Sequence, residues 1–258
     1  MSGILAHPRG GPNVDLVLLD WTRMGKSYCL AGAVAREDRY WVVRPLPAWH
    51  RTAPVRNVGW APEAVEGHSR WEVFELLEGR PAPPQPPHLE DAWVSRLKPS
   101  GRLATPAQRR AVLQATLTAP GQDLFGSPLV TTRSTAYLAP GTGCRSLTSV
   151  LVPAGGVTFS ASWREGVPEP DYRVKLAVPG LEGRALAVKD HFLLRRAEMA
   201  STDLERRVQE MTLAVGQMGD PVLVRLGLSR AFQPTAGRTQ GVCYLMADGF
   251  FSYTDPQP

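Results

Sequence analysis

The sequence predicts a mostly β protein with a minor α-helical part, arranged as two small β-barrels that each carry a late helix. Twenty-four prolines and 24 glycines divide the 258 residues into short segments. The apolar runs between them have the length of strands, and two segments have the capping residues of a helix. Each half of the chain contains several of these runs and one such helix, which fits two barrels of about 120 residues.

The first half begins with three apolar runs in residues 14–46, separated by two polar turns. This pattern is typical of the start of a small antiparallel barrel. Five prolines in residues 78–88 then predict an extended surface connection. Thr105 and Pro106 predict the N-cap and first turn of a helix that ends at Ala119. The predicted strands of this half are Val14–Asp20, Tyr28–Ala35, Tyr40–Arg44 and Trp71–Leu77.

The second half repeats this organisation. Its helix is predicted to start after Ser201 or Thr202 and to run to about Ala214. The predicted strands are Ser146–Pro153, Val157–Ser162, Tyr172–Val178, Ala185–Val188, Val222–Leu228 and Gly241–Ala247. We therefore expect an N-terminal OB-like domain over residues 1–125, which includes the proline-rich connection, and a C-terminal OB-like domain over residues 126–258.

The positive charge is concentrated in the middle of the chain. The net charge is +5, and residues 96–145 contain seven Lys or Arg against one acidic residue. A localised basic stretch predicts a polyanionic partner, although an acidic protein surface would fit it equally.

Composition also bears on the location of the protein. No apolar stretch approaches the ~20 residues of a membrane span, and residues 1–13 lack the apolar centre of a signal peptide. Cys29, Cys144 and Cys243 lie far apart, so neither a disulfide framework nor a zinc site is predicted. These features predict a cytoplasmic protein without membrane association.

The tripeptide Gly25-Lys26-Ser27 resembles the end of a phosphate-binding P-loop. Asp20, however, stands where that loop needs its first glycine, and the residues that follow indicate a strand instead of a helix. We therefore predict a hairpin turn with Lys26 exposed. The five histidines have no metal-ligand spacing, and no nucleophile motif is present. The sequence predicts no catalytic residue, no metal and no cofactor.

Aromatic residues beside arginines are the main functional pattern. Barrels that bind single strands stack bases on exposed rings, while cations follow the phosphates. Alternation along the third strand predicts that Trp41 lies in the core and that Arg44 is exposed. The predicted phosphate contacts are Arg23, Lys26, Arg44, Arg109, Arg110, Arg145 and Arg225. The predicted stacking residues are Trp21, Trp49 and Tyr244.

The order of several short motifs resembles the dual OB-containing domain family of prokaryotes. They include the segment Trp41–Pro45, the element His88–Asp91, the segment Leu223–Leu228 and the final strand at Cys243–Leu245. The chain departs from the family pattern at Leu226-Gly227-Leu228, where a serine usually precedes Leu-Gly, and at Val188-Lys189-Asp190, where Val-Thr-Asp is common. The resemblance implies two OB barrels, a nucleic-acid- or nucleotide-binding role and an association with defence or mobile-element systems.

These observations predict a non-enzymatic protein that binds nucleic acid, with single-stranded DNA or RNA favoured. Two alternatives stay open. The chain could be a sensor or enzyme for a nucleotide-derived small molecule bound between the barrels. It could also be an adaptor whose basic stretch docks an acidic protein, for instance in a defence or repair complex.

Overall fold

A computed structural model describes residues 14–37, 39–50, 59–64, 66–119, 121–231, 241–254 and 256. These residues form fifteen strands in two sheets and three α-helices. The prediction of a mostly β fold with a minor α-helical part is confirmed. No helix in the described part of the chain is long and apolar enough to cross a membrane.

The first sheet contains seven strands in the order β5-β6-β3-β2-β1-β4-β7. Its centre is antiparallel, and β3 and β6 run parallel. Strands β6 and β7 are separated only by Ser95, whose N–H donates to the carbonyl of Leu77 at 3.1 Å. One bent segment therefore borders β3 on one side and β4 on the other. The strands are β1 (Val14–Met24), β2 (Ser27–Arg36), β3 (Arg39–Pro47), β4 (Glu72–Leu77), β5 (Arg80–Pro81), β6 (Asp91–Val94) and β7 (Arg96–Leu103).

The second sheet is also mostly antiparallel with one parallel pair, and its strand order is β10-β14-β15-β13-β12-β11. Strand β9 pairs with β15, and β8 pairs with β9. Strands β13 and β15 run parallel, and only residues 153–156 separate β10 from β11. Its strands are β8 (Val130–Thr131), β9 (Ala136–Leu138), β10 (Leu147–Val152), β11 (Val157–Ser162), β12 (Asp171–Leu176), β13 (Leu186–Val188), β14 (Val222–Leu228) and β15 (Cys243–Ser252).

The helices agree with the sequence only in part. Helix α1 (Pro106–Thr116) begins at the predicted N-cap Thr105, which forms a capping box with Gln108. Helix α3 (Leu204–Gly216) is capped by Asp203 and not by Ser201 or Thr202. The sequence reading missed helix α2 (His191–Ala200), which begins after Asp190.

The two sheets share a hydrophobic core. Val17 and Leu19 of β1 belong to the same buried cluster as Leu223 of β14 and Phe251 of β15. Two further clusters fill the interior of each half separately. The face of β1 that carries Val17 and Leu19 therefore packs against the second sheet. A register shift between Leu18 and Asp20 reverses the alternation, so Asp20, Thr22 and Met24 continue this face at the junction of the two halves.

Candidate functional site

The β1–β2 hairpin positions both candidate sites. Met24 pairs with Ser27 across a two-residue turn, and Gly25 has a φ of 65°. A positive φ at the first central position is typical of a type II′ turn, which glycine adopts without strain. Lys26 is exposed at the tip of this turn. The predicted hairpin is confirmed, and no helix follows the Gly-Lys-Ser tripeptide as a P-loop would require.

Alternation along this hairpin gives it two functional faces. On one side, Asp20, Thr22 and Met24 line a cavity of about 240 Å³ between the two sheets, which we call the interface cavity. On the other side, Trp21 and Arg23 line a depression of about 380 Å³, which we call the hairpin cleft. Because successive side chains of a strand point to opposite faces, one ribbon serves both sites.

Asp20 of the first half and Arg225 of the second form a buried ion pair beside the interface cavity. The Nε atom of Arg225 donates to both carboxylate oxygens at 3.0 Å, and its Nη1 atom donates to Ser149 at 3.3 Å. Arg225 is 0% exposed and Asp20 1% exposed. The side chain of Arg225 thus links the two halves of the protein, and no part of it is at the surface.

Arg44 is buried at the wall of the same cavity, so the prediction that it is exposed is wrong. Its guanidinium pairs with Glu90 at 3.1 Å and Asp91 at 3.5 Å, and donates to His88 Nδ1 at 2.9 Å. Burial, together with Arg44, holds the pKa of His88 well below its usual value. The prediction failed because the partners of Arg44 come from β6, from the connection before β6 and from Ser146, which directly precedes β10. Trp41 is only partly buried, and it packs against the core as expected.

Asp248 of β15 lies in the lining of the cavity and is 4% exposed. Its Oδ1 atom is buried and has no hydrogen-bond partner among the described residues. Burial, reinforced by the nearby charge of Asp20, raises the pKa of Asp248 to about 7, although Arg44 opposes this shift. An unpaired buried polar group costs roughly 1–3 kcal/mol, so this carboxyl group is unusual within the protein.

Cys29 of β2 also lines the interface cavity. Burial raises the pKa of its thiol, and this effect exceeds the opposing influence of Arg44 and Arg230. The thiolate form is therefore disfavoured, and thiolate is the form that acts as a nucleophile. The described residues contain no group of three or more His, Cys, Asp or Glu that could hold a metal ion.

Five aromatic residues form a connected group, which we call the ring row: Trp49, Trp60, Tyr28, Trp21 and His191. The last three of these line the hairpin cleft. The ring centroids of Trp49 and Trp60 are 5.4 Å apart. The Trp60 backbone pairs with that of Tyr28 through two hydrogen bonds of 2.8 Å. Tyr28 meets Trp21 edge-on at 5.7 Å, and Trp21 stacks on His191 at 4.8 Å. Trp49 is 60% exposed, whereas Trp21 and Trp60 are each 3% exposed.

Cations stand beside the ring row. Arg23 forms a two-point ion pair with Glu198 of α2 at 2.7 and 2.8 Å, and its Nε atom donates to His191 at 3.3 Å. Arg195 is exposed, lines the cleft and forms no ion pair with a described residue. Burial, together with Arg23 and Arg195, lowers the pKa of His191 to about 4. His191 is therefore neutral at physiological pH.

The remaining predicted contacts are dispersed. Arg109 is buried and donates to the carbonyls of Ala104 and Pro256. Arg110 is exposed on α1. Arg145 is half-buried and donates to the carbonyls of Leu124 and Asp123. Tyr244 is half-buried against Tyr137 at 6.1 Å. The structure therefore brings together Trp21, Arg23, Lys26 and Trp49 around one hairpin, and it leaves the other candidates elsewhere.

Sequence reasoning missed Arg195, Arg230 and Asp248. Arg195 follows from recognising α2, because Asp190 is a suitable N-cap and Leu193, Leu194 and Ala197 have helical spacing. Asp248 lies within the apolar segment of residues 246–251, and an acidic residue within such a segment indicates a special role because it is almost never buried without a partner. Arg230 carries no such signal.

No family model matches the chain, and no curated protein matches it either. Among solved structures, a murine DNA-binding protein bound to double-stranded DNA aligns with 93% of this chain and 97% of that chain. The aligned residues are 8% identical and the TM-score is 0.28. A similarity of this size does not establish a shared fold or a shared function.

Proposed function

We propose that the protein binds single-stranded nucleic acid on the ring row and that this binding is non-enzymatic. The observation that carries the proposal is the position of exposed Trp49 and half-buried Tyr28 on one aromatic group, with Arg195 in the same cleft as Tyr28 and Lys26 exposed at the tip of the same hairpin. Exposed rings offer stacking faces to any base, and nearby cations attract the phosphates.

The buried rings have a supporting role in this proposal. Trp21 and Trp60 are almost fully covered, so a base cannot stack on them without displacing their neighbours. They instead pack beneath Tyr28 and Trp49 and hold these two rings in place. Preorganised rings lose little side-chain entropy when a strand binds, which increases the affinity available from stacking.

The strand connectivity supports an OB-type interpretation of both halves. In the first sheet β4 joins the meander β1-β2-β3 at β1, and β6 joins it at β3 in parallel. In the second half, α2 and α3 follow the meander β11-β12-β13 along the chain and precede the final two strands, β14 and β15. OB folds bind oligonucleotides with the second and third strands and with the loop between the first two strands. The ring row lies around the corresponding β1–β2 turn. We propose membership of the dual OB-containing domain family on this basis.

The direct test is binding of fluorescein-labelled oligo-dT and oligo-U of about 20 nucleotides, longer than the ~4–16-nucleotide site of one OB fold. Anisotropy at low salt measures the affinity. Replacing Trp49 by Ala removes one stacking face, and we expect a loss of about tenfold. The matched control is Trp163→Ala, because Trp163 is also exposed, at 59%, and lies outside the ring row. Absence of binding to either oligonucleotide at low salt would refute the proposal.

A cytoplasmic location and a partner in a defence or repair complex remain predictions from the sequence. The basic stretch over residues 96–145 also remains a candidate for docking an acidic protein. Its exposed Arg110 is available for such a contact, whereas Arg109 is buried.

A further inference from the structure

We infer that the interface cavity binds a neutral cyclic amide, a small heterocycle with a ring carbonyl next to a ring N–H, as in uracil or hypoxanthine. This site lies on the opposite face of the β1–β2 hairpin from the ring row. The inference is independent of the proposed function, because it concerns a free small molecule and does not require a bound strand.

The first support is the size of the cavity. Its volume of about 240 Å³ greatly exceeds the roughly 10–15 Å³ that one water molecule needs by the same measure. The lining extends from Asp248, which is buried, to Met24 and Ser27, which are half-buried beside the β1–β2 turn. This gradient of exposure indicates that the cavity opens towards the turn. A molecule of the size of a single heterocycle has both room and a path of entry.

The second support is a set of buried polar atoms without partners. The residues Arg44, Arg230 and Asp248 all line the cavity. The Nε atom of Arg44, the Nη1 atom of Arg230 and the Oδ1 atom of Asp248 have no hydrogen-bond partner among the described residues. Buried polar atoms in native proteins are nearly always paired. These residues therefore carry two guanidinium donor atoms and one carboxyl oxygen that no described residue pairs.

The third support is the charge balance, which selects a neutral ligand. Arg44 is paired with Glu90 and Asp91, and Arg230 with Asp91. Their positive charges are therefore already compensated within the protein, and a free anion such as phosphate gains little net attraction. A cyclic amide provides partners for these unpaired atoms without adding charge. Its carbonyl accepts from a guanidinium, and its ring N–H donates to Asp248.

The apolar part of the lining suits a ring. Leu147, Leu228, Met24 and Met246 contribute to the walls alongside the polar groups. Pockets for small molecules combine apolar walls with a few convergent polar groups, and methionine sulfur makes favourable contacts with aromatic rings. These walls favour a flat heterocycle over an extended polar chain such as a sugar.

The test uses uracil and hypoxanthine as probes, with binding followed by saturation-transfer NMR and by calorimetry on the wild-type protein. We expect binding of at least one probe. We also expect about tenfold or more weaker binding of 1,3-dimethyluracil, which keeps the carbonyls but has no ring N–H. Inorganic phosphate is the competing probe. Binding of phosphate alone, or of neither heterocycle, would overturn the inference.

Substitutions locate the site. Asp248→Ala removes the acceptor oxygens, so we expect about tenfold weaker binding of the heterocycle. Asp123→Ala is the matched control, because Asp123 is exposed and lies outside the lining. Unchanged binding in a folded Asp248→Ala protein would place the heterocycle elsewhere and refute the site. If this variant does not fold, the dimethyluracil comparison on the wild-type protein still decides.

Discussion

Asp248 occupies the space that any side chain at position 227 would need. An ideal Cβ on Gly227 would overlap the Oδ2 atom of Asp248 and lie 2.7 Å from its Cγ atom. The two residues belong to neighbouring strands β14 and β15, close to a shift in their register. Glycine at 227 therefore makes room for a buried carboxyl group at the interface cavity.

Replacing Gly227 by Ala should consequently destabilise the protein by about 1–3 kcal/mol, the usual cost of overpacking a dense interior. Chemical denaturation measures this change. The double variant Gly227→Ala with Asp248→Ala should recover part of the loss, because the overlapping carboxyl group is gone. Gly155→Ala is the control, since a Cβ there meets nothing within 4 Å. Equal effects at positions 227 and 155 would contradict the packing account.

Removal of one partner from the Arg225–Asp20 pair should cost about 3–5 kcal/mol of the free energy of unfolding, because an uncompensated charge stays buried. The variants are Arg225→Met and Asp20→Asn. Replacing both residues together should cost less than the sum of the two single changes. The exposed pair Arg102–Asp15 is the comparison, and Arg102→Ala should cost only about 0–1 kcal/mol. Similar costs for the two arginines would argue against a special role for burial.

The raised pKa of Asp248 makes stability depend on pH. In the unfolded chain its carboxyl group titrates near the ordinary value of about 4, whereas the folded protein holds the proton up to about pH 7. Between these values the folded state binds more protons, so the free energy of unfolding falls as the pH rises. We expect Asp248→Asn to remove a decline on the order of a few kcal/mol between pH 4 and pH 7. Urea titrations at several pH values measure it, and identical slopes in both proteins would refute the assignment.

Salt should weaken oligonucleotide binding in proportion to the number of phosphates that the protein neutralises. For single strands the logarithm of the affinity falls with the logarithm of the salt concentration by about 0.7 per phosphate. The double variant Lys26→Ala with Arg195→Ala should therefore reduce this slope by about 1.4. Arg206→Ala removes an exposed charge on α3 and should leave the slope unchanged. An unaltered slope in the double variant would remove these two cations from the binding surface.

The strands could be predicted because their signals are local. Val157–Ser162 and Val222–Leu228 match the structure to the residue, since glycines, prolines and polar turns delimit them. Strand β7 escaped detection because it has few apolar residues and its side chains are mostly exposed. Helix α2 was not predicted, although Asp190, shortly after the predicted strand Ala185–Val188, is its N-cap.

The candidate sites were less accessible to sequence reasoning. Asp20, the partner of Arg225, is 205 positions away in the chain. Nothing near Arg225 in the sequence indicates that its positive charge is paired with a carboxylate. Arg44 shows the same problem, since its partners come from distant elements. By contrast, Arg23 and Lys26 share one hairpin, and their proximity follows from the turn itself. The charge pattern thus identifies cations that are neighbours in the chain, but it does not show which of them folding pairs with a distant carboxylate, as Glu198 pairs with Arg23.

The two faces of the β1–β2 hairpin restrict how its length can vary. Inserting or deleting a single residue before the Gly25-Lys26 turn would rotate every following side chain of β1 to the other side of the ribbon. Arg23 would then point into the junction of the two sheets, and a residue suited to that junction would point into solvent. Changes of two residues preserve the alternation. Between Asp20 and the turn, length variation is therefore restricted to even steps unless a β-bulge absorbs the extra residue, as the register shift between Leu18 and Asp20 does earlier in the same strand.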